Sequence, residues 1–139
     1  MLRTELLHPE ILGALGTSGH GSKVLIADGN YPFTTGSNDS AKKVYLNLAP
    51  GIVTVPQVLA AVSESIVIEA AAVMEPGTGE EPSIFEDFRS LLGEVELEKK
   101  GRFEFYEAAR DQSVSLVIST GEERTYANIL LTVGVVEAE

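Results

Sequence analysis

Apolar residues along this chain fall into short runs separated by stretches rich in glycine, proline and acids, and the period within each run names an element. Lys23–Ala27 (KVLIA) is a continuous β-branched and aliphatic run, the pattern of a strand buried on both faces. Lys43–Leu48 alternates, with Val44, Leu46 and Leu48 on one side, and reads as a strand. Ser65–Val73, Val95–Lys99, Ser115–Ser119 and Asn128–Val135 supply four more strands. Between them lie helical patterns. His8–Gly16 has Pro9 at a first helical position and Gly16 as a stop. Thr54–Ser65 has Thr54 as N-cap and Pro56 in the first turn. Ser83–Gly93 opens on Ser83 with Glu86 three residues on, a capping box, ahead of an apolar face of Phe85, Phe88, Leu91 and Leu92. Arg102–Arg110 (RFEFYEAAR) reads as a helix or as an extended turn leading into one. Residues 28–40 are rich in Gly, Asn, Ser, Thr and Pro, and read as loop.

Strands alternate with helices almost throughout, which predicts an α/β domain: a mostly parallel sheet of about six strands with helices on both faces. There is no internal repeat and no linker, so residues 1–139 form one domain. In such sheets, ligand residues gather in loops beyond the carboxyl ends of strands. Asp28 stands at one such end and the loop Gly121–Asn128 at another.

Composition narrows the chemistry. The formal net charge is −11, so a nucleic acid would be repelled, and no basic stripe offsets this. A small neutral ligand is compatible with that charge. Cysteine is absent, which removes disulfides, thiolate nucleophiles and cysteine–zinc sites together and suits a reducing compartment. The near-apolar run Ile66–Met74, interrupted by Glu69, is far short of the ~20 residues that span a bilayer. Met1–Glu5 carries no signal-peptide pattern, and a cytoplasmic location is expected.

Two residues beside glycine draw attention in GHGSKVLIADGNYPF, residues 19–33: His20, one of two histidines, and Asp28, at the end of the apolar run. Taken singly, each is compatible with an ordinary turn residue. Glycines flanking His20 let the backbone approach a ligand closely. GTSGHG is not a phosphate loop, because it follows a helix and opens a strand. His8 and His20 lack metal-ligand spacing, so no metal is expected. Ser18 and Ser22 sit on no nucleophile elbow. Thr125–Asn128 pairs a phenol with a carboxamide at the head of a strand, a set of donors and acceptors suited to a polyhydroxylated ligand.

The segments Gly-His-Gly, Ala-Asp-Gly-Asn-Tyr-Pro, Arg-Phe-x-Phe-Tyr-Glu and Thr-Gly-Glu…Tyr-Ala-Asn-Ile-Leu-Leu…Gly-Val occur in that order. Over about residues 2–136 this combination resembles the ribose pyranase and fucose mutarotase family. The resemblance implies a three-layer α/β/α sandwich assembled as a ring-shaped homodecamer, with a free monosaccharide as substrate and no cofactor. It implies His20 as catalytic proton donor, and Asp28, Arg102, Tyr126, Ala127 and Asn128 as sugar-binding residues. Tyr-Ala-Asn looks like the ribose branch and Arg-Phe-x-Phe-Tyr-Glu like the fucose branch. L-fucose is the expected substrate, with D-ribose as the alternative. A non-catalytic sugar-binding module is the reading from a different class, and it would not need His20.

Strand geometry adds a constraint. Five residues at roughly 3.3 Å each put the two ends of Lys23–Ala27 about 16 Å apart. His20 precedes this strand and Asp28 ends it. They meet one sugar within a subunit only if Gly19–Ser22 climbs back along the sheet. The simpler geometry sets His20 of one subunit against Asp28, Tyr126 and Asn128 of its neighbour.

Overall fold

The computed structural model describes all 139 residues. In chain order it contains α1 (Pro9–Thr17), β1 (Lys23–Ala27), β2 (Lys42–Tyr45), α2 (Val55–Ser63), β3 (Ile68–Met74), α3 (Ile84–Leu92), β4 (Leu97–Lys100), α4 (Arg102–Ala109), β5 (Val114–Ser119) and β6 (Ile129–Val133). The six strands form one sheet in the order β2-β5-β1-β6-β3-β4. β1 and β2 flank β5 in parallel, and β3 pairs β4 in parallel. β6 alone runs the other way, antiparallel to both β1 and β3. The sheet is therefore mostly parallel, as the alternation of elements predicts.

The reversed strand follows from connection length. A parallel return needs a crossover of a dozen or more residues. Residues 120–128 are too few and contain no helix, so the chain turns over and descends. It does not pair beside β5 but steps across β1 to reach its slot. That step carries residues 121–128 over the carboxyl end of β1, where Asp28 stands.

Alternation in the strands divides the core between two faces. Val24, Ile26, Leu116, Ile118, Ile129 and Leu131 pack under α1, α2 and α3 with Ile11, Leu59, Phe85 and Phe88. Leu25, Ala27, Val117, Leu130 and Met74 face the other way, toward Phe105 and Ala109 of α4 and Tyr31 and Ala41 of the loop after β1. The sandwich thus has three layers, the thinner outer one built from a single short helix and a loop. No helix is long and apolar enough to cross a membrane.

Local chemistry explains the elements and three departures from the expected boundaries. Thr54 caps α2 through a closed capping box with Gln57. His8 caps α1 through Nδ1, which accepts from the Ile11 N–H at 3.4 Å. Gly16 does not end α1; the helix runs one residue further, to Thr17. The capping box expected at Ser83 is absent. Ser83 is itself helical (φ −59°, ψ −29°), because a turn already begins at Pro82, whose carbonyl accepts from the Phe85 N–H. A capping serine needs extended backbone to turn its hydroxyl onto the helix. Glu86 pairs instead with Arg89 at 2.6 Å. β2 stops at Tyr45, and Leu48 is 82 % exposed. The chain leaves the sheet edge there for a tight turn around Pro50 and Gly51, in which the Leu48 N–H donates to the Ile52 carbonyl.

Candidate active site

The carboxyl ends of β1, β3 and β4 and the amino end of β6 lie along one edge of the sheet. A cavity of about 260 Å³ opens there. Its walls are Asp28, Asn30, Tyr31, Met74, Arg102, Tyr106, Thr125, Tyr126 and Asn128. Sites for drug-sized ligands run ~300–1,000 Å³, so this one suits a single small molecule such as a monosaccharide.

Asp28 is held from three sides. Its own N–H donates to Asn128 Oδ1 at 2.7 Å. Its Oδ1 accepts from the Asn30 N–H at 3.0 Å and its Oδ2 from the Ala127 N–H at 3.2 Å. Each carboxylate oxygen keeps a lone pair for a ligand hydroxyl. Burial pushes the Asp28 carboxyl above the ordinary aspartate range, and the backbone donors only partly offset that. Asn128 accepts with its carbonyl oxygen, so its NH₂, which bonds to nothing in the chain, remains for the cavity.

Tyr126 has φ +57°, a left-handed backbone that a bulky side chain rarely adopts. This kink lies immediately before the Ala127 N–H that Asp28 accepts. Ala127 itself is fully buried behind the cavity wall and meets Asp28 through its backbone. Arg102, the first residue of α4, enters from the β4 side and is the one guanidinium in the wall. Tyr106 lies one turn further along α4, its ring 5.4 Å from that of Tyr31 and under the Arg110 guanidinium at 5.6 Å. The Tyr31 hydroxyl is committed to the Gly36 carbonyl at 2.6 Å, so Tyr31 offers the cavity its ring rather than its oxygen.

The loop over β1 is anchored from behind. Glu122 is 4 % exposed and carries a charge. Burial raises its pKa, but hydrogen bonds from the Arg124 side chain and backbone, the Arg124 charge and the Val55 N–H at the start of α2 outweigh it and hold the carboxyl below the usual range. Gly121 presses on the turn at residues 49–52. A Cβ there would overlap the Ala49 carbonyl oxygen and come within 2.6 Å of that of Ile52, so only glycine fits.

His20 lies elsewhere. Its loop is stitched to the far end of β6, where the Gly21 N–H donates to the Val133 carbonyl at 2.9 Å and the Val133 N–H to Ser22 at 2.8 Å. Asp28 is bonded to Asn128, at the opposite end of β6. Gly19–Ser22 does not climb back, and the strand's length of about 16 Å separates the two residues. His20 Nε2 instead sits 3.2 Å from both carboxylate oxygens of Glu69, and its side chain is 61 % exposed. One chain therefore brings Asp28, Arg102, Tyr126 and Asn128 to a single cavity, with Ala127 behind it and His20 outside it.

Sequence reasoning missed Met74, Tyr31 and Glu69. Met74 ends β3 and falls under the same strand-end rule that singles out Asp28. Glu69 is visible as the one charge inside the run Ile66–Met74. No group of three or more His, Asp or Glu side chains is placed to hold a metal.

Comparison with known proteins covers the whole chain. The fucose mutarotase of Mus musculus is 35 % identical over 147 aligned positions, covering 96 % of this chain and 92 % of the relative. The D-ribose pyranase of Bacillus cytotoxicus is 32 % identical, covering 98 % and 99 %. A solved structure of Bacillus subtilis RbsD complexed with D-ribose superposes with a TM-score of 0.85 at 26 % identity, covering 99 % of this chain and 100 % of the other. A family profile matches residues 1–136. By sequence and by fold, this chain belongs to the RbsD / FucU transport protein family.

Proposed function

We propose that this protein is a monosaccharide mutarotase, an isomerase that interconverts the anomers, or the pyranose and furanose forms, of a free sugar, with L-fucose preferred to D-ribose. The observation that carries the reading is the cavity at the sheet edge. A carboxylate, a guanidinium, two carboxamides and the rings of three tyrosines converge there over a space the size of one sugar ring. The relatives it resembles along its full length are fucose mutarotases and D-ribose pyranases.

The chemistry is the opening of a cyclic hemiacetal. The anomeric hydroxyl gives up its proton, C1–O1 becomes the aldehyde, and the C1–ring oxygen bond breaks as that oxygen gains a proton. Rotation about C1–C2 and reclosure return both protons. This asks for one donor and one acceptor, and histidine is the side chain suited to proton exchange at neutral pH. Positioned proton transfer contributes typically ~10²–10⁴-fold. Since the reaction already proceeds in water, that gain suffices. His20 is the donor to the ring oxygen. Asp28, whose raised pKa reflects a carboxylate that gains from sharing a proton, accepts from the anomeric hydroxyl. Arg102, Tyr126 and Asn128 fix the remaining hydroxyls.

The donor and the cavity come from neighbouring subunits of a ring, a decamer by resemblance. Support comes from the strand length between them and from exposed Val67, Val135 and Val136 near the His20 end, apolar surface that a neighbour would cover. A cytoplasmic location accords with the absence of cysteine. The test is NMR saturation transfer between anomers over a panel of free monosaccharides, with His20→Ala beside the wild type. Accelerated exchange that His20→Ala abolishes supports the reading. Binding without exchange would move the protein to the class of sugar-binding modules.

A further inference from the structure

We infer that Arg124 is a positioning residue for the loop over the cavity: its guanidinium clamps the buried Glu122 carboxylate and so sets Tyr126, the Ala127 N–H and Asn128 where a sugar meets them. This rests on the mutarotase reading, which places the sugar in that cavity.

The loop needs such a support. Residues 120–128 contain neither helix nor strand. Backbone bonds hold the first half, where the Gly121 N–H donates to the Val53 carbonyl and the Gly29 N–H to the Glu122 carbonyl, both at 2.9 Å. From Glu123 to Ala127 the backbone makes no hydrogen bond to other backbone. Yet this half carries Tyr126 at φ +57°, a conformation that persists in a bulky residue only where its surroundings over-determine it. Side chains take over there. Arg124 grips Glu122 as a fork, Nη2 donating to Oε1 at 2.9 Å and Nε to Oε2 at 3.2 Å, and the Arg124 N–H donates to Oε2 at 3.3 Å. A lysine offers no such fork. The Val55 N–H, at the start of α2, donates to the same carboxylate at 3.4 Å and ties it to the helical layer. The third nitrogen, Nη1, donates to Asp87 Oδ2 on α3 at 2.8 Å. Both ends of that link are largely exposed, so it steers the guanidinium and adds little strength.

Charge makes the clamp testable. Glu122 is 4 % exposed and Arg124 is the one cation bonded to it. The other charges near it are negative: Asp28 on the cavity side and Asp87 beyond the guanidinium. Without Arg124, burial and these neighbours favour the protonated carboxyl. Its folded-state pKa then stands above the unfolded value, so the loop is held at low pH and loosened as pH rises through that folded pKa.

The experiment compares wild type, Arg124→Ala, Asp87→Asn and the double variant Arg124→Ala/Glu122→Gln from pH 5 to pH 8. Calorimetry gives sugar affinity, and mass spectrometry gives amide exchange of residues 123–128. In Arg124→Ala the Kd should rise about tenfold over wild type at pH 8 and within about threefold at pH 5, with faster loop exchange at pH 8. Neutralising Glu122 removes the buried charge, so the double variant should show a constant ratio to wild type across the range. Asp87→Asn should stay within about twofold throughout. Wild-type affinity in Arg124→Ala at pH 8 overturns the proposal, as does a loss of equal size at every pH. A loss as large in Asp87→Asn overturns it too, since the exposed link then does the holding. Failure of both Arg124 variants to fold overturns it as well, because Arg124 then supports the whole fold rather than the loop. If the wild type binds no free monosaccharide, the mutarotase reading fails instead, and loop exchange at pH 8 still reports whether the clamp holds.

Discussion

Asn128 does two jobs that a pair of substitutions separates. Its Oδ1 accepts from the Asp28 N–H at 2.7 Å in a site where both residues are almost fully buried. Asn128→Ala leaves that N–H without an acceptor, which costs about 1–3 kcal/mol. The adjoining cavity lets a water approach, so the lower half of that range, about 1–2 kcal/mol, is expected. Asn128→Asp keeps an acceptor for the N–H but sets a second carboxylate beside that of Asp28. Burial and the like charge raise the folded-state pKa of the new group. Its stability is therefore kept at low pH, where it is protonated, and lost as pH rises through that folded pKa. Denaturant unfolding at fixed protomer concentration, from pH 5 to pH 8, distinguishes the two. The alanine penalty should stay flat with pH, whereas the aspartate penalty should grow. Both variants should bind sugar more weakly, since both remove the NH₂ that faces the cavity. Equal penalties at all pH values, or an alanine variant as stable as wild type, would refute the assignment of the 2.7 Å bond as the support of Asp28.

Two other outcomes follow from the same edge of the sheet. Gly121→Ala drives a methyl into the Ala49 and Ile52 carbonyls and should cost about 1–3 kcal/mol in unfolding experiments while weakening sugar binding, because the loop bearing Tyr126 and Asn128 must lift; unchanged stability and binding would contradict the close approach. In the proposed site Asp28 is the stronger acceptor from sugar hydroxyls when ionised, and burial raises its pKa, so titration calorimetry should show affinity falling with decreasing pH in a window above the ordinary aspartate range of about 3.9. Asp28→Asn should abolish that dependence, and an acid limb that survives the substitution would assign it elsewhere.

Elements with a strong period were readable from the residues alone. KVLIA became β1 over the same five residues, and Thr54 capped α2 with the partner its spacing offers. The order of the strands was not readable, because nothing local says that β6 steps over β1 before pairing. That step is what brings Tyr126 and Asn128 onto Asp28. Ser83 failed as a cap because the preceding proline had already started the turn, a backbone effect that residue spacing does not encode. Leu48 kept the alternation of β2 yet left the sheet, since the turn at Pro50 and Gly51 needs those residues. Asp28, Arg102 and Tyr126–Asn128 came from motif order, whereas the place of Met74 in the same cavity and the contact of Glu69 with His20 depend on strands and loops far apart in sequence being set side by side.

The most direct test of a site shared between subunits is complementation between two inactive variants. His20→Ala and Asp28→Asn subunits are mixed one to one after gentle dissociation, reassembled, and assayed for anomer exchange by saturation transfer, with native mass spectrometry confirming mixed assemblies. If His20 of one subunit serves the cavity of the next, random mixing restores both wild-type residues at about a quarter of the sites, and about a quarter of wild-type activity should return. Mixed assemblies that form and remain inactive would mean that His20 and Asp28 work within one chain, against the 16 Å or so of β1 between them.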